Sequence, residues 1–240
     1  MVIKEIISKS ILSKSKIYPY VINPFLGCQY GCFYCYARFM KKYSRHLEPW
    51  GKFVDAKTNA PELLQKEITK KRKGEVWISG VCDPYQPIEA KYKITRQCLE
   101  ILAENNWSVV IQTKSPLVLR DLDILKKGKN FQIGFSIATA DETIKKLFEP
   151  NSPSIKDRVI ALNKLHQAGL KTYAMIAPLL PGAEELTNIL KGKVDYIIID
   201  RMNYHYADWV YKKYNLEDKK TDIFFQEIER KIAHTLPLRP

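Results

Sequence analysis

The sequence predicts an α/β fold built on parallel strands: a partial (β/α)6 TIM-like barrel with added C-terminal helices. Three observations carry this expectation. Six short runs rich in β-branched and aromatic residues recur along the chain. Segments with helical periodicity separate them, and that alternation implies a parallel sheet with right-handed crossovers. The runs are also nearly continuous in apolar residues, as strands covered on both faces are. A doubly wound open sheet satisfies the same observations, but no G-x-G-x-x-G follows any run, which disfavours its dinucleotide-binding form.

The first run, YVINPF (20–25), leads into a cysteine-rich loop. NAPELLQKEITKKRKG (59–74) reads as a helix opening at Asn59, Pro61 and Glu62 and stopping at Gly74. EVWISGV (75–81) is the second strand. ITRQCLEILAENN then places Ile94, Cys98, Ile101 and Leu102 on one helical face. SVVIQTK (108–114) and FQIGFSIAT (131–139) are the third and fourth strands. SIKDRVIALNKLHQAG opens with Ser154 and Asp157 at capping-box spacing and ends at Gly169, a helix stop signal. KTYAMIAPLL (171–180) and VDYIIID (194–200) complete the six. The tail from 204 reads as two amphipathic helices. The expected organisation is one barrel domain over 1–203, with an extension over 204–240 packed on it.

With 240 residues and 45% apolar composition, the chain has material for a full core, which excludes global disorder. No apolar run reaches the roughly 18 to 20 residues needed to span a bilayer. The opening MVIKEIISKSILSKSKIY is interrupted by charges and lacks a cleavage-site pattern, so the expectation is a cytoplasmic protein without a membrane partner. The formal net charge is +13, from 39 Lys+Arg against 26 Asp+Glu. That favours a polyanionic partner such as DNA or RNA, and Lys70, Lys71, Arg72 and Lys73 form the densest basic run. A lysine-rich surface of a heat-adapted protein is the plainer alternative.

Five cysteines occur, and Cys28, Cys32 and Cys35 fall within NPFLGCQYGCFYCY (23–36) as C-x3-C-x2-C. In a cytoplasmic chain such close spacing reads as metal ligation and not as disulfides. A structural zinc site takes four protein ligands, and here a fourth would have to come from Cys82, Cys98 or a distant histidine. A 4Fe-4S cluster uses three thiolates differently. Three irons are held by protein, and the fourth stays open for a small molecule. Packing cysteines are the remaining alternative. Gly27 and Gly31 let the loop wrap closely, and Phe33, Tyr34 and Tyr36 can shield a cluster from water.

This loop at the end of a first strand resembles the radical S-adenosylmethionine (AdoMet) superfamily. DAKTNAPELL, ISGVCDPYQPIEAKYKITRQCLEIL, IQTKSPLVLRDLDIL, GFSIAT, LFEPNSPSIKDRVIALNKLHQAGLKTYAMIAPLLPG and DYIIIDRMN extend the likeness, over roughly residues 20 to 203, to its spore photoproduct lyase-like members, also described as DNA repair photolyase-related. The resemblance implies a 4Fe-4S cluster on Cys28, Cys32 and Cys35, with AdoMet on the open iron. It also implies an external one-electron donor such as a ferredoxin or flavodoxin.

By the same resemblance Tyr34 contacts adenine, and Ser79, Gly80 and Asp83 in SGVCDP lie near the methionine amino group. Lys114 and Ser136 hold the AdoMet carboxylate or ribose. A turn or N-cap aspartate before Pro84 is the alternative reading of Asp83. Lys57, Arg201 and Asn203 are candidate substrate contacts; Lys57 suits a surface lysine as well, and Asp200–Arg201 equally suits a structural ion pair. Spore photoproduct lyase uses a cysteine as hydrogen donor and a tyrosine pair beside the cluster motif. Tyr34 and Tyr36 flank Cys35 in that way, and Tyr36 and Cys82 are the candidate relay and donor. Cys82 is offset from the family's donor position, which weakens the lesion-repair reading. The implied activity is radical chemistry on a nucleic acid, either DNA repair or base modification. An enzyme for a small molecule or peptide, and a non-catalytic iron–sulfur module, are the alternatives.

Overall fold

The computed structural model describes residues 1–239, and the chain divides into two compact units. The first comprises residues 1–30 and 37–133; the second comprises 31–36 and the chain from 134 onward.

The first unit opens with β1 (Val2–Ile6), β2 (Leu12–Lys14), β3 (Tyr20–Ile22) and β4 (Phe25–Leu26). β5 (Phe53–Lys57), α1 (Ala60–Ile68), β6 (Glu75–Ile78), α2 (Glu89–Tyr92), α3 (Ile94–Glu104), β7 (Ser108–Thr113) and α4 (Leu122–Lys127) follow. β8 (Phe131–Ser136) passes from this unit into the second. The main sheet here runs β2-β3-β6-β7-β8, with β3–β6 and β6–β7 parallel. A small sheet, β1-β5-β4, pairs Val2 with Phe53 in parallel and Phe25 with Ala56 antiparallel. Ile22, Phe25, Phe53, Val76, Ile78, Leu99 and Ile111 are fully buried, each contributing about 1.5–3 kcal/mol of transfer free energy.

The second unit continues with α5 (Glu142–Phe148), α6 (Ile155–Gln167), β9 (Lys171–Ile176), α7 (Leu186–Leu190), β10 (Tyr196–Ile199), α8 (Asp208–Lys213) and α9 (Asp222–Ala233). Its strand order is β8-β9-β10, with β9 and β10 parallel. The last residues lie along β10, where Ile197 N–H donates to Pro237 O at 2.7 Å and Arg239 N–H donates to Ile197 O at 2.9 Å. Among the described residues no helix is long and apolar enough to cross a membrane.

The six expected runs are β3, β6, β7, β8, β9 and β10, so the α/β class with a parallel-stranded sheet stands. Local signals fared unevenly. Ser154 Oγ accepts from Asp157 N–H at 3.0 Å and Gly169 takes φ +80°, as expected. Asn59 stands before α1, but its amide bonds the backbone N–H and C=O of Ser8, both at 2.9 Å, and caps nothing. That helix stops at Ile68, well short of Gly74. On α3 the buried face is Ile94, Thr95, Cys98, Leu99 and Leu102, while Ile101 is half-buried.

Candidate functional site

The cysteine loop is anchored in each unit by a separate set of bonds. In the first unit Gly27 takes φ +91°, and a Cβ there would lie 2.4 Å from Phe53 O. The Gly27 carbonyl accepts from Gln86 Nε2 at 3.2 Å, and Gln86 Oε1 accepts from Gln29 N–H at 2.8 Å. Gln29 Oε1 in turn accepts from Ile88 N–H at 2.6 Å. These reciprocal amides bind the backbone beside Cys28 to the loop that follows β6. Cys28 itself is buried.

In the second unit Phe33 N–H donates to Phe148 O at 2.9 Å, and Cys35 N–H donates to Cys32 O at 3.1 Å. Tyr34, between two cysteines, donates its hydroxyl to Glu149. The Glu149 carboxylate is held by Arg158 Nη2 at 2.5 Å and by the Ser152 hydroxyl at 2.9 Å, with Glu149 and Arg158 each only 1% exposed. Arg158 Nη1 donates to Ser136 O at 2.9 Å, at the end of β8. One buried guanidinium therefore fixes both the cysteine loop, through Glu149 and Tyr34, and the backbone of Ser136. Burial, with Glu149 as anionic neighbour, holds the Tyr34 phenol well above its ordinary value, so it stays a neutral donor.

The loop after β6 carries the remaining first-unit candidates. Ser79 sits in the left-handed region at φ +72°, a sparsely populated conformation for a non-glycine residue. Its N–H donates to Ile22 O at 2.7 Å, and its Oγ lies 2.7 Å from Cys82 Sγ. Cys82 also donates to Phe25 O at 3.4 Å. Burial pushes the Cys82 thiol up to about 12, so it is protonated at neutral pH. Lys57, at the end of β5, is lowered by burial and has Cys82 as an electrostatic neighbour. A Cβ on Gly80 would meet the Trp77 ring at 3.0 Å.

Asp83 is buried and heavily engaged. Its Oδ1 accepts from Tyr85 N–H at 2.9 Å and from the Thr113 hydroxyl at 2.6 Å, and its Oδ2 accepts from Lys114 N–H at 2.7 Å. The carboxylate thus ties the loop after β6 to the end of β7 and makes the turn contact expected before Pro84. Arg201 pairs with Asp222 at 2.7 Å. The Asp200–Arg201 ion pair is corrected accordingly: Asp200 accepts instead from Arg201 N–H at 2.8 Å and from Asn203 Nδ2 at 3.0 and 3.1 Å. A carboxylate so close in sequence caps the turn, while the long guanidinium reaches Asp222.

Known proteins settle the family. The radical SAM superfamily model matches residues 22–188. The chain belongs to the radical SAM superfamily. An uncharacterized protein of Methanocaldococcus jannaschii is 39% identical over 203 residues, covering 83% of this chain and 73% of that one. A radical SAM Nα-GlyT isomerase of Pseudomonas phage M6 is 24% identical over 162 residues, covering 67% of this chain and 33% of that one. Among solved structures, spore photoproduct lyase complexed with dinucleoside spore photoproduct shares the fold at TM-score 0.72, with 18% identity, over 97% of this chain and 78% of that one. SuiB of Streptococcus suis, bound to S-adenosylmethionine, matches at TM-score 0.52 with 18% identity, covering 86% of this chain and 44% of that one.

The cofactors of a radical SAM protein are a 4Fe-4S cluster and AdoMet, and the thiols of Cys28, Cys32 and Cys35 are the donor type such a cluster takes. None of the three loop cysteines is in a disulfide among the described residues. Among the described residues no three His, Cys, Asp or Glu gather about one ion's position, whereas a cubane asks only for one thiolate at each of three irons. Gly27 brings backbone where no side chain fits, which suits a loop closing on a compact inorganic group. Gln29, Gln86, Glu149 and Arg158 support this loop and went unassigned in the sequence. LFEPNSPSIKDR was visible there only as a shared stretch, with nothing to mark its Glu and Arg as a buried pair.

Proposed function

We propose that this radical SAM protein is an enzyme acting on a nucleic acid, by lesion repair or base modification. The net charge of +13 carries the substrate class, because phosphate neutralisation dominates nucleic-acid affinity. In this reading Cys28, Cys32 and Cys35 hold the cluster. Held by these residues, the cluster and AdoMet would supply one-electron radical chemistry toward the substrate. Lys114 neutralises the AdoMet carboxylate, Ser136 donates to its polar edge, and Tyr34 offers backbone to adenine. Ser79, Gly80 and Asp83 shape the loop beside the methionine amino group. Lys57, Arg201 and Asn203 are proposed to face the substrate, and Tyr36 to serve as a relay. A ferredoxin- or flavodoxin-like partner supplies the electron.

Cys82 has the state a hydrogen-atom donor needs. A substrate carbon radical takes the hydrogen of the S–H bond, leaving a C–H bond and a thiyl radical, and a thiolate has no such hydrogen to give. Because burial holds the Cys82 thiol protonated, its alkylation by iodoacetamide is expected to stay slow through pH 9 in the folded protein. Mass-spectrometric mapping reads this directly, and full labelling within minutes at pH 8 would remove the argument.

Anaerobic reconstitution, dithionite reduction and detection of 5′-deoxyadenosine test the chemistry. Oligonucleotide binding against salt tests the substrate class. Affinity is expected to fall steeply between 50 and 200 mM salt, about tenfold or more. A flat dependence would favour the small-molecule or peptide reading.

A further inference from the structure

We propose that an unpaired base of a single-stranded nucleic acid docks on a ladder of tyrosines in the second unit, with its phosphates over the neighbouring basic cleft. Tyr36, which directly follows Cys35, stacks on Tyr204 with ring centroids 6.1 Å apart and planes 22° apart. Tyr204 stacks on Tyr206 at 5.8 Å and 6°. The three rings are 39%, 45% and 40% exposed. Single exposed apolar side chains are ordinary on a protein surface, but a contiguous row of aligned rings marks a contact site.

Beside the ladder lies a cleft of about 340 Å³ whose lining includes Tyr204, His205, Arg201, Lys219 and Lys220. Its three formal cations face one lining acid, Asp222. Arg201 pairs with Asp222, Lys220 with Asp208 and Lys219 with Asp218. Arg201–Asp222 and Lys219–Asp218 face solvent, and such pairs are weak, so a phosphate can replace the carboxylate partner there at little cost. Aromatic rings aligned next to a cationic groove are the two elements of sequence-tolerant single-strand binding, where each stacked base contributes about 1–3 kcal/mol. A duplex covers its base faces with neighbouring bases and offers only groove edges, so the ladder selects an unpaired or extruded base. Because Tyr36 adjoins a cluster cysteine in sequence, a base held there is brought to the cysteine loop.

The inference rests on the nucleic-acid reading, and the test separates the two. Binding of a fluorescein-labelled 12-nucleotide oligothymidylate is measured for the full chain, with its duplex and a polyglutamate peptide for comparison. Tyr204→Ala and Tyr206→Ala are each expected to weaken single-strand binding roughly tenfold, while Tyr204→Phe and Tyr206→Phe keep it, because the ring face survives. Lys219→Ala is expected to lower the salt slope by about one. Tyr214→Ala, an exposed tyrosine outside the ladder, is expected to bind as the parent does. Should an alanine variant fail to fold, Tyr204→Leu removes the ring with less loss of volume. Parent-like affinity in the ring-deleted variants overturns the ladder and leaves the nucleic-acid reading standing. No oligonucleotide binding by the parent, or tighter binding of the peptide, overturns both.

Discussion

Replacing Arg158 with methionine is expected to lower the unfolding free energy by about 3–5 kcal/mol, the cost of removing one partner from a buried ion pair. The size follows from what Arg158 leaves behind. Glu149 is 1% exposed, and without the guanidinium its carboxylate loses its paired charge while keeping the hydroxyls of Tyr34 and Ser152. Ser136 O loses its Nη1–H donor at the same time. For a chain of this size the loss corresponds to a fall in Tm on the order of 10 °C, read by circular dichroism. Arg158→Met with Glu149→Gln is expected to recover part of it, because the stranded charge is then gone. The same variant is expected to take up less iron, since Tyr34 and the Phe33 backbone fix the loop carrying Cys32 and Cys35 to the neighbourhood of Glu149. A loss below about 1 kcal/mol would mean that water reaches Glu149.

Six strands of the main sheet were legible because their runs are dense in apolar residues, as strands packed into a core are. β1 escaped for the opposite reason, while β5, buried from Phe53 to Ala56, is short and interrupted by Asp55. Val2–Ile6 is exposed over its central residues, and its pairing with Phe53–Lys57 spans some fifty residues that no local pattern encodes. The cysteine triad could be read directly, since ligand type and spacing are local. Its supports could not. Gln86 meets Gln29 and Gly27 only through the loop after β6, and Arg158 reaches Glu149 and Ser136 only once α6 has packed. Asp83 had two readings in the sequence, a contact near the methionine amino group and a turn aspartate before Pro84; its bonds to Tyr85, Thr113 and Lys114 include the turn contact and link two loops that no local pattern joins.

Gly27→Ala is expected to abolish most cluster loading while Gly169→Ala leaves it intact, and comparing the two isolates the cause. Both glycines lie in the left-handed region, at φ +91° and φ +80°, so each substitution carries a conformational penalty of about 1–2 kcal/mol. At Gly169 nothing lies within 4 Å of the added Cβ, and the penalty ends there. At Gly27 the methyl group would lie 2.4 Å from Phe53 O and 3.0 Å from the Phe53 ring. Phe53 is fully buried on β5, and its carbonyl belongs to backbone, so the alanine must move instead. Movement there pulls the Gly27 carbonyl from Gln86 and shifts the residue joined to Cys28. Iron and sulfide content after anaerobic reconstitution, with the visible absorbance of the cluster, measures the effect. Equal loading of the two variants would show that the loop closes on its cluster without the Gly27–Phe53 approach.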